Sequence, residues 1–371
     1  MNRTRSIALL ALAALLFAAC GDDDDPGDVA GADGGGESAS CEPGETDGDL
    51  ALYNWSEYID PDLISAFEEE HEVTVTEDFY PSNEELVARI QEGAQFDLIV
   101  PSDYMVGIMI EEELIQPLDK DALPNLENLA DRFASDLPYD PEGDYSVPYQ
   151  WGTTGLGVNV DEIGEDFPRS WSLVFDPEVS QQYAGQITLL DDPREVMGAA
   201  LKYLGYSLNS TSEEELAEAE ELVADAVGRL AAFDSDQYDE LLVQGETVIG
   251  HGYSGNMFTA FAEADGTFEY FVPDEGGTVW VDNMTVPTSA ASPCTAHAFM
   301  NFLLDAERGA QLTNWNYYAS PNEAAEEFIE AEVLEDPAIY PDDELNARLE
   351  FIEDTGDFEI NFTDALTRAR G

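Results

Sequence analysis

Positive charge is what this sequence has least of. Its 371 residues include 13 Lys and Arg against 81 Asp and Glu, a formal charge of −68. Lysine occurs twice, at Lys120 and Lys202. Nucleic-acid affinity rests on Lys and Arg neutralising phosphates, so nucleic acid is excluded as a default partner. The same shortage argues against docking on anionic lipid through basic patches. Charged residues make up 25% of the chain, an ordinary fraction, so the skew is one of sign. Such a surface stays soluble at high salt, where its self-repulsion is screened.

Signatures of metal and nucleophile chemistry are also missing. His71, His251 and His297 lie far apart, with no HExxH spacing, and Cys20, Cys41 and Cys294 form no CxxC. No GxSxG nucleophile elbow occurs. No metal and no cofactor are expected, and the chain reads as a protein that is not an enzyme.

A core, by contrast, is well provided for. The chain is 44% hydrophobic and 11% aromatic, and its length suggests two lobes. Arg3 and Arg5 precede the apolar run Ile7–Phe17, which is too short to span a bilayer. Ala18 and Ala19 then lead to Cys20, so residues 1–19 resemble a bacterial lipoprotein signal with Cys20 as the lipidated residue. Residues 20–48, rich in Gly and Asp, read as a flexible acidic tether. The Asp22–Asp25 run lacks the spaced ligands of a calcium site and reads as solvated linker.

Folding is predicted to begin at Leu50. Leu50–Trp55 reads as a strand, followed by a helix capped by Asp60 with Pro61 at its first position. Val73–Phe79 alternates as a strand, and Ser82-Asn-Glu-Glu85 is a capping box for a helix that stops at Gly93. Phe96–Val100 suits a strand covered on both faces, and Met105–Leu114 reads as helical. Alternating strands and helices imply an open parallel sheet, whose ligands sit beyond the carboxyl ends of the strands. That rule nominates two loops, Asn54–Tyr58 and Pro101–Tyr104.

Further along, Gln186–Leu190 reads as a strand leading into Asp191-Asp-Pro-Arg-Glu195 and a helix to about Leu204. Glu213–Phe233 reads as one long amphipathic helix. Thr247–Gly250, Phe268–Val272 and Gly277–Val286 read as strands, and Ala296–Leu304 as a helix. The glycine-rich stretch Tyr149–Gly157 suits a crossing between lobes, where a few residues absorb changes in φ and ψ. Gly250-His-Gly252-Tyr-Ser-Gly255 fits GxGxxG, with Glu269 and Asp274 near the acidic position of a dinucleotide fold. Its place late in an exported chain argues against a nicotinamide cofactor.

Aromatics and carboxylates recur at the strand ends. Ionised carboxylates left unpaired in a dry pocket would take up protons, so a pocket of this kind calls for a cationic ligand. An alkyl diamine or triamine answers both features, with ammonium ends on Asp and Glu and methylenes against aromatic faces. Asp192 and Glu195 also fit a plain helix-capping role, and Trp55 or Trp280 a plain core role.

Taken in order from Leu50 to the C-terminus, YNWSEYI, DLIVPSDYMV, YSVPYQWGTTGLGVN, LLDDPREVMGAAL, GYSG, EGGTVWVDNMTVP and YYASPN resemble the polyamine-binding members of the periplasmic-binding-protein family. Those proteins serve bacterial spermidine and putrescine ABC transporters. The resemblance implies an α/β type II fold of two lobes, each a mixed sheet flanked by helices and joined by a two-crossing hinge, with the ligand between the lobes. It implies lobe 1 at 49–153 plus 281–325 and lobe 2 at 154–280 plus 326–371. The matching ligand residues are Trp55, Ser56, Glu57, Tyr58, Ser102, Tyr104, Asp192, Glu195, Tyr253, Trp280, Asp282 and Tyr318. Tyr253 stands where the family usually has Trp, and Asn256 where some putrescine-preferring members have an acid. A polar family residue near the C-terminus has no clear match.

The expected partners are therefore a polyamine and a membrane permease, with the membrane touched only through the lipid and the protein monomeric. Export to an oxidising compartment favours a Cys41–Cys294 disulfide. Two alternatives stay open here: a ferric-ion binder using Tyr317 and Tyr318, and a dinucleotide enzyme using Gly250–Gly255.

Overall fold

A computed structural model describes residues 40–135 and 137–371; the stretch 1–19 expected as a signal, Cys20 and Asp22–Asp25 lie outside the described residues. Ten strands form one mixed sheet. They are β1 (Leu50–Asn54), β2 (Val75–Phe79), β3 (Leu98–Ile99), β4 (Ser146–Asn159) and β5 (Ile187–Leu189). After them come β6 (Ala232–Phe233), β7 (Ile249–Tyr253), β8 (Phe268–Phe271), β9 (Gly277–Thr285) and β10 (Leu349–Glu350). The strand order is β2-β1-β3-β9-β4-β7-β5-β6, with β8 added to β4 and β10 to β9.

The first hundred residues obey the local signals. Asp60 caps α1 (Pro61–His71) by accepting from the Asp62 amide, and Ser82 caps α2 (Asn83–Gln91) by accepting from the Glu85 amide. Gly93 follows in the left-handed region, and α3 (Asp103–Glu111) leaves the end of β3. The β1–β2 and β1–β3 pairs are parallel, as right-handed crossovers require.

Two long antiparallel strands, β4 and β9, belong to both halves of the sheet. One end of β9 meets β3 at Ile99, and the far end of β4 pairs with β7 and β8. Each half has its own core: Leu52, Phe67, Leu98 and Phe299 pack on one side, Leu156, Trp171, Phe175 and Ile249 on the other.

All of β4, which contains Tyr149–Gly157, is buried strand, so a crossing there is made by extended, hydrogen-bonded backbone. Its glycines take none of the left-handed angles that glycine alone favours. They permit close approach instead. A Cβ at Gly152 would lie 2.8 Å from the Trp280 ring, and one at Gly157 would lie 2.6 Å from Met257 Sδ.

Two expectations need correcting. The Glu213–Phe233 helix ends early: α5 spans Glu213–Val227, Gly228 follows, and Phe233 belongs to β6. The apolar spacing carries across the break because both pieces face the same core. In the chain α4 (Pro193–Leu204) precedes α5, and α6 (Ser254–Glu263), α7 (Pro293–Leu303) and α8 (Ala306–Asn316) follow β6. Residues 41–48, expected as the end of a loose tether, pack on the body. Cys41 is disulfide-bonded to Cys294 within α7, its amide donates to Asp119, and Asp47 accepts from the first amides of α7 at Cys294 and Thr295.

The scarce cations concentrate on the C-terminal stretch. Lys202 pairs with Glu350, Arg348 with Asp274, Arg194 with Glu359, Arg368 with Glu220 and Arg370 with Asp191. These fasten β10 and α9 (Glu359–Arg370) across α4 and α5.

The crowding along β4 yields a stability test. A Cβ at Gly155 would sit 2.5 Å from the Phe271 carbonyl oxygen, which is backbone of the paired strand β8. Gly155→Ala is expected to lose about 1–3 kcal/mol in urea unfolding, the usual cost of overpacking. An unchanged midpoint would contradict the close approach.

Candidate ligand-binding site

The strand ends deliver their loops to one cavity of about 270 Å³. All twelve residues nominated from the sequence line it: Trp55, Ser56, Glu57, Tyr58, Ser102, Tyr104, Asp192, Glu195, Tyr253, Trp280, Asp282 and Tyr318. Six acidic residues line it, Glu57, Asp103, Asp192, Glu195, Asp236 and Asp282, and among the described residues no Lys, Arg or His does.

Asp282 sits on β9 beside the end of β3. Ser102 Oγ donates to its Oδ1 at 2.7 Å, and Asn83 holds Ser102 in turn through the Ser102 amide and hydroxyl. Burial pushes the Asp282 carboxyl up to about 7, against the pull of Ser102 and the nearby Tyr58 hydroxyl. The Tyr58 hydroxyl closes no well-formed hydrogen bond of its own and is left facing this region.

Asp192 and Glu195 open α4. Asp192 is the cap, accepting from the Arg194 and Glu195 amides at 2.8 and 3.0 Å, so the capping role read from sequence and a place in the cavity coexist. Arg194 turns away toward Glu359 and Asn209. Asp192 is pushed up to about 6 by the protein packed around it, and Glu195 to about 8 by burial and then by Asp192. Asp103, at the first turn of α3, is likewise raised to about 8 by burial, although the Tyr104 and Val281 amides both donate to it.

Aromatic rings form the walls. Trp280 meets Tyr253 edge-on at 6.0 Å and Tyr318 at 5.3 Å, and Tyr318 meets Tyr58 at 5.1 Å. Trp55 is fixed by its indole N–H on the Val100 carbonyl. Glu57 holds a positive φ of 54°, which turns the Asn54–Tyr58 loop over the cavity mouth at a cost of about 1 kcal/mol.

Several lining residues went unnoticed in the sequence. Tyr80 and Pro81 follow β2, and Ser235 and Asp236 follow β6, while Asp103 lies inside the nominated Pro101–Tyr104 loop without having been singled out. The strand-end rule points to Tyr80 and Pro81, whereas Ser235 and Asp236 were hidden because β6 reads as the end of a helix. Asn83, Tyr238 and Ile352 carry no such signal and arrive by packing. Ile352 is the lining residue from the C-terminal stretch, where a polar side chain had been sought.

Both competing chemistries lose their geometry. In Gly250–Gly255, a Cβ at Gly252 would lie 2.0 Å from the Tyr238 ring and one at Gly255 2.6 Å from the Tyr318 ring. Side chains fill the space a pyrophosphate needs. Tyr317 packs near Phe258 in a different cluster from the cavity-lining Tyr318, whose phenol burial holds in the protonated form. Tyr317 therefore does not join Tyr318 in lining the cavity.

The bacterial extracellular solute-binding protein family matches residues 62–341. The chain belongs to that family. This binding protein is 36% identical over 314 residues to a putrescine/cadaverine-binding protein of Pseudomonas aeruginosa, covering 82% of this chain and 88% of that one. Its fold is similar to that of a spermidine/putrescine ABC transporter protein of Listeria monocytogenes, with a TM-score of 0.82, 35% identity, and coverage of 87% and 99% of the two chains. The TpPotD lipoprotein of Treponema pallidum aligns with a TM-score of 0.75 and 32% identity, over 86% of this chain and 99% of that one. The binding protein thus has the two-lobed α/β periplasmic-binding-protein fold and is not an enzyme.

The raised carboxyls tie stability to pH. Each keeps a proton that the unfolded chain gives up near pH 4, so the empty site contributes stability at acid pH that is lost as pH rises toward 8. Glu195→Gln is expected to flatten the fall in Tm between pH 5 and 8. Parallel Tm profiles for the two proteins would show that Glu195 does not titrate in this window.

Proposed function

We propose that this protein captures a linear polyamine, putrescine or spermidine, between its lobes and passes it to the permease of an ABC transporter. The observation that carries the reading is a cavity lined by six acidic residues and aromatic walls, with no Lys, Arg or His among the described residues lining it. Buried carboxylates are costly without a partner, and an ammonium group supplies one together with charge-assisted hydrogen bonds. In this reading Asp282, Asp192, Glu195 and Glu57 take the ammonium groups. Trp55, Tyr253 and Trp280 lie along the methylenes and attract the positive charge through their ring faces. Ser56, Tyr58, Ser102, Tyr104 and Tyr318 supply hydroxyls. The names of the relatives, which include putrescine, cadaverine and spermidine, support the ligand class.

Binding closes the cleft because the ligand bridges acids carried by both halves, and so favours the closed state by its differential affinity. The lobes are taken as 49–153 plus 281–325 and 154–280 plus 326–371, so the chain crosses on β4, on β9 and once more between 325 and 326. Anchoring through a lipid on Cys20 has a parallel in the Treponema lipoprotein. In that arrangement the Cys41–Cys294 bridge fixes where the monomeric body hangs from its tether.

Calorimetric titration with putrescine and spermidine in molar salt, with a neutral amino acid as control, tests the ligand class. Saturable heat with a polyamine alone is expected, and no heat with either polyamine would refute the reading. Asp282→Asn keeps the shape and removes the charge, so it is expected to weaken binding by about 2–5 kcal/mol, as when one side of a buried pair is lost. Unchanged affinity would take Asp282 out of the ligand set. Tyr253→Trp is expected to tighten binding through a larger stacking face, and equal or weaker binding would count against the stacking role.

A further inference from the structure

Both oxygens of the Glu195 carboxylate are taken up by hydroxyls of the two long strands. Thr154 Oγ1 on β4 donates to Oε1 at 2.8 Å, and Thr278 Oγ1 on β9 donates to Oε2 at 2.8 Å. The two threonines are direct partners in the β4–β9 register, and Thr154 is also the register partner of Tyr253 on β7. They mark the point where β4 passes from one half of the sheet to the other. Both are buried, and neither lines the cavity. Thr154 Oγ1 also accepts from the Trp280 indole N–H at 3.3 Å, so aromatic wall, strand and carboxylate form one hydrogen-bonded chain.

Strand pairing has no need of these hydroxyls. Valine has the same shape, pairs equally well and brings no polar atom into a buried sheet. The hydroxyls act on the carboxylate. We propose that Thr154 and Thr278 are positioning residues for ligand capture: they orient the Glu195 carboxylate toward a ligand ammonium and tie it to both strands that join the halves. This inference rests on the polyamine reading above.

The charged and titratable groups around Glu195 come from four elements. Asp192, the cap of α4, and Asp103 of α3 oppose its ionisation, while Arg194 on its own helix favours it. Tyr253 at the end of β7 and Tyr270 of β8 stay neutral, because burial raises both phenols. Burial sets the overall upward direction, and the two hydroxyls pull the carboxyl back down. Without one hydroxyl, more of the empty protein carries a proton on Glu195 at neutral pH, and that proton must leave before a cation can bind.

The test is calorimetric titration with putrescine and spermidine from pH 6 to 9 on the unaltered protein, Thr278→Val, Thr154→Val and Thr278→Ser. Thr278→Val is expected to bind about tenfold more weakly at pH 7, the effect of raising the carboxyl pKa by one unit, with the gap closing toward pH 9. Thr154→Val should behave alike, and Thr278→Ser should restore the original profile. Far-UV circular dichroism checks each fold, and either valine variant that folds suffices for the comparison. A loss equal at every pH and not restored by serine would mark simple packing and overturn the proposal, as would an unchanged profile. If the unaltered protein binds no polyamine, the ligand reading itself fails; if it binds and the variants match it, only this inference fails.

Discussion

The pairing of β4 with β9 is the constraint on which the rest of the structure depends. These strands carry Trp280 and Asp282 into the cavity and hold the hydroxyls that grip Glu195, and β4 places Val147 and Tyr149 in one core and Leu156 and Val158 in the other. Their glycines bring neighbouring rings and backbone close, so the join is dense rather than loose. The register shift between Pro148 and Gln150 is one place where the ladder is already interrupted.

Acid is everywhere on this molecule, yet the cavity acids differ in kind from the surface ones. A surface carboxylate is hydrated and screened, and contributes to solubility in salt. Asp103, Glu195 and Asp282 are buried, so water cannot stabilise their charge, and their protons are held to about neutral pH. Composition records only the total. The burial of three carboxyls around aromatic rings is what singles out a cation, and the sequence hints at it only through the position of acids after strands.

Much of that position was legible. Asp60-Pro61 and Ser82–Glu85 mark helix starts through local hydrogen bonding, and the strand-end rule located Trp55 to Tyr58 and Ser102 with Tyr104. Local signals failed where tertiary contacts decide. The glycines of β4 look like a flexible link in one dimension, and only the rings of Trp280 and the side chain of Met257 reveal why they are there. The break after Val227 was hidden because apolar spacing continues through Gly228 into β6. Asn83, Tyr238 and Ile352 reach the cavity from elements whose own pattern says nothing about it.

The clasp of ion pairs over the C-terminal stretch gives the protein two opposing responses to ionic strength. Dilution strengthens the attraction of Lys202 for Glu350 and of Arg370 for Asp191, while it also unleashes the mutual repulsion of the acidic body. Concentrated salt reverses both. Ile352 hangs from that clasp at the cavity wall, so the electrolyte around the cell sets how firmly one side of the pocket is held as well as how tightly the body coheres.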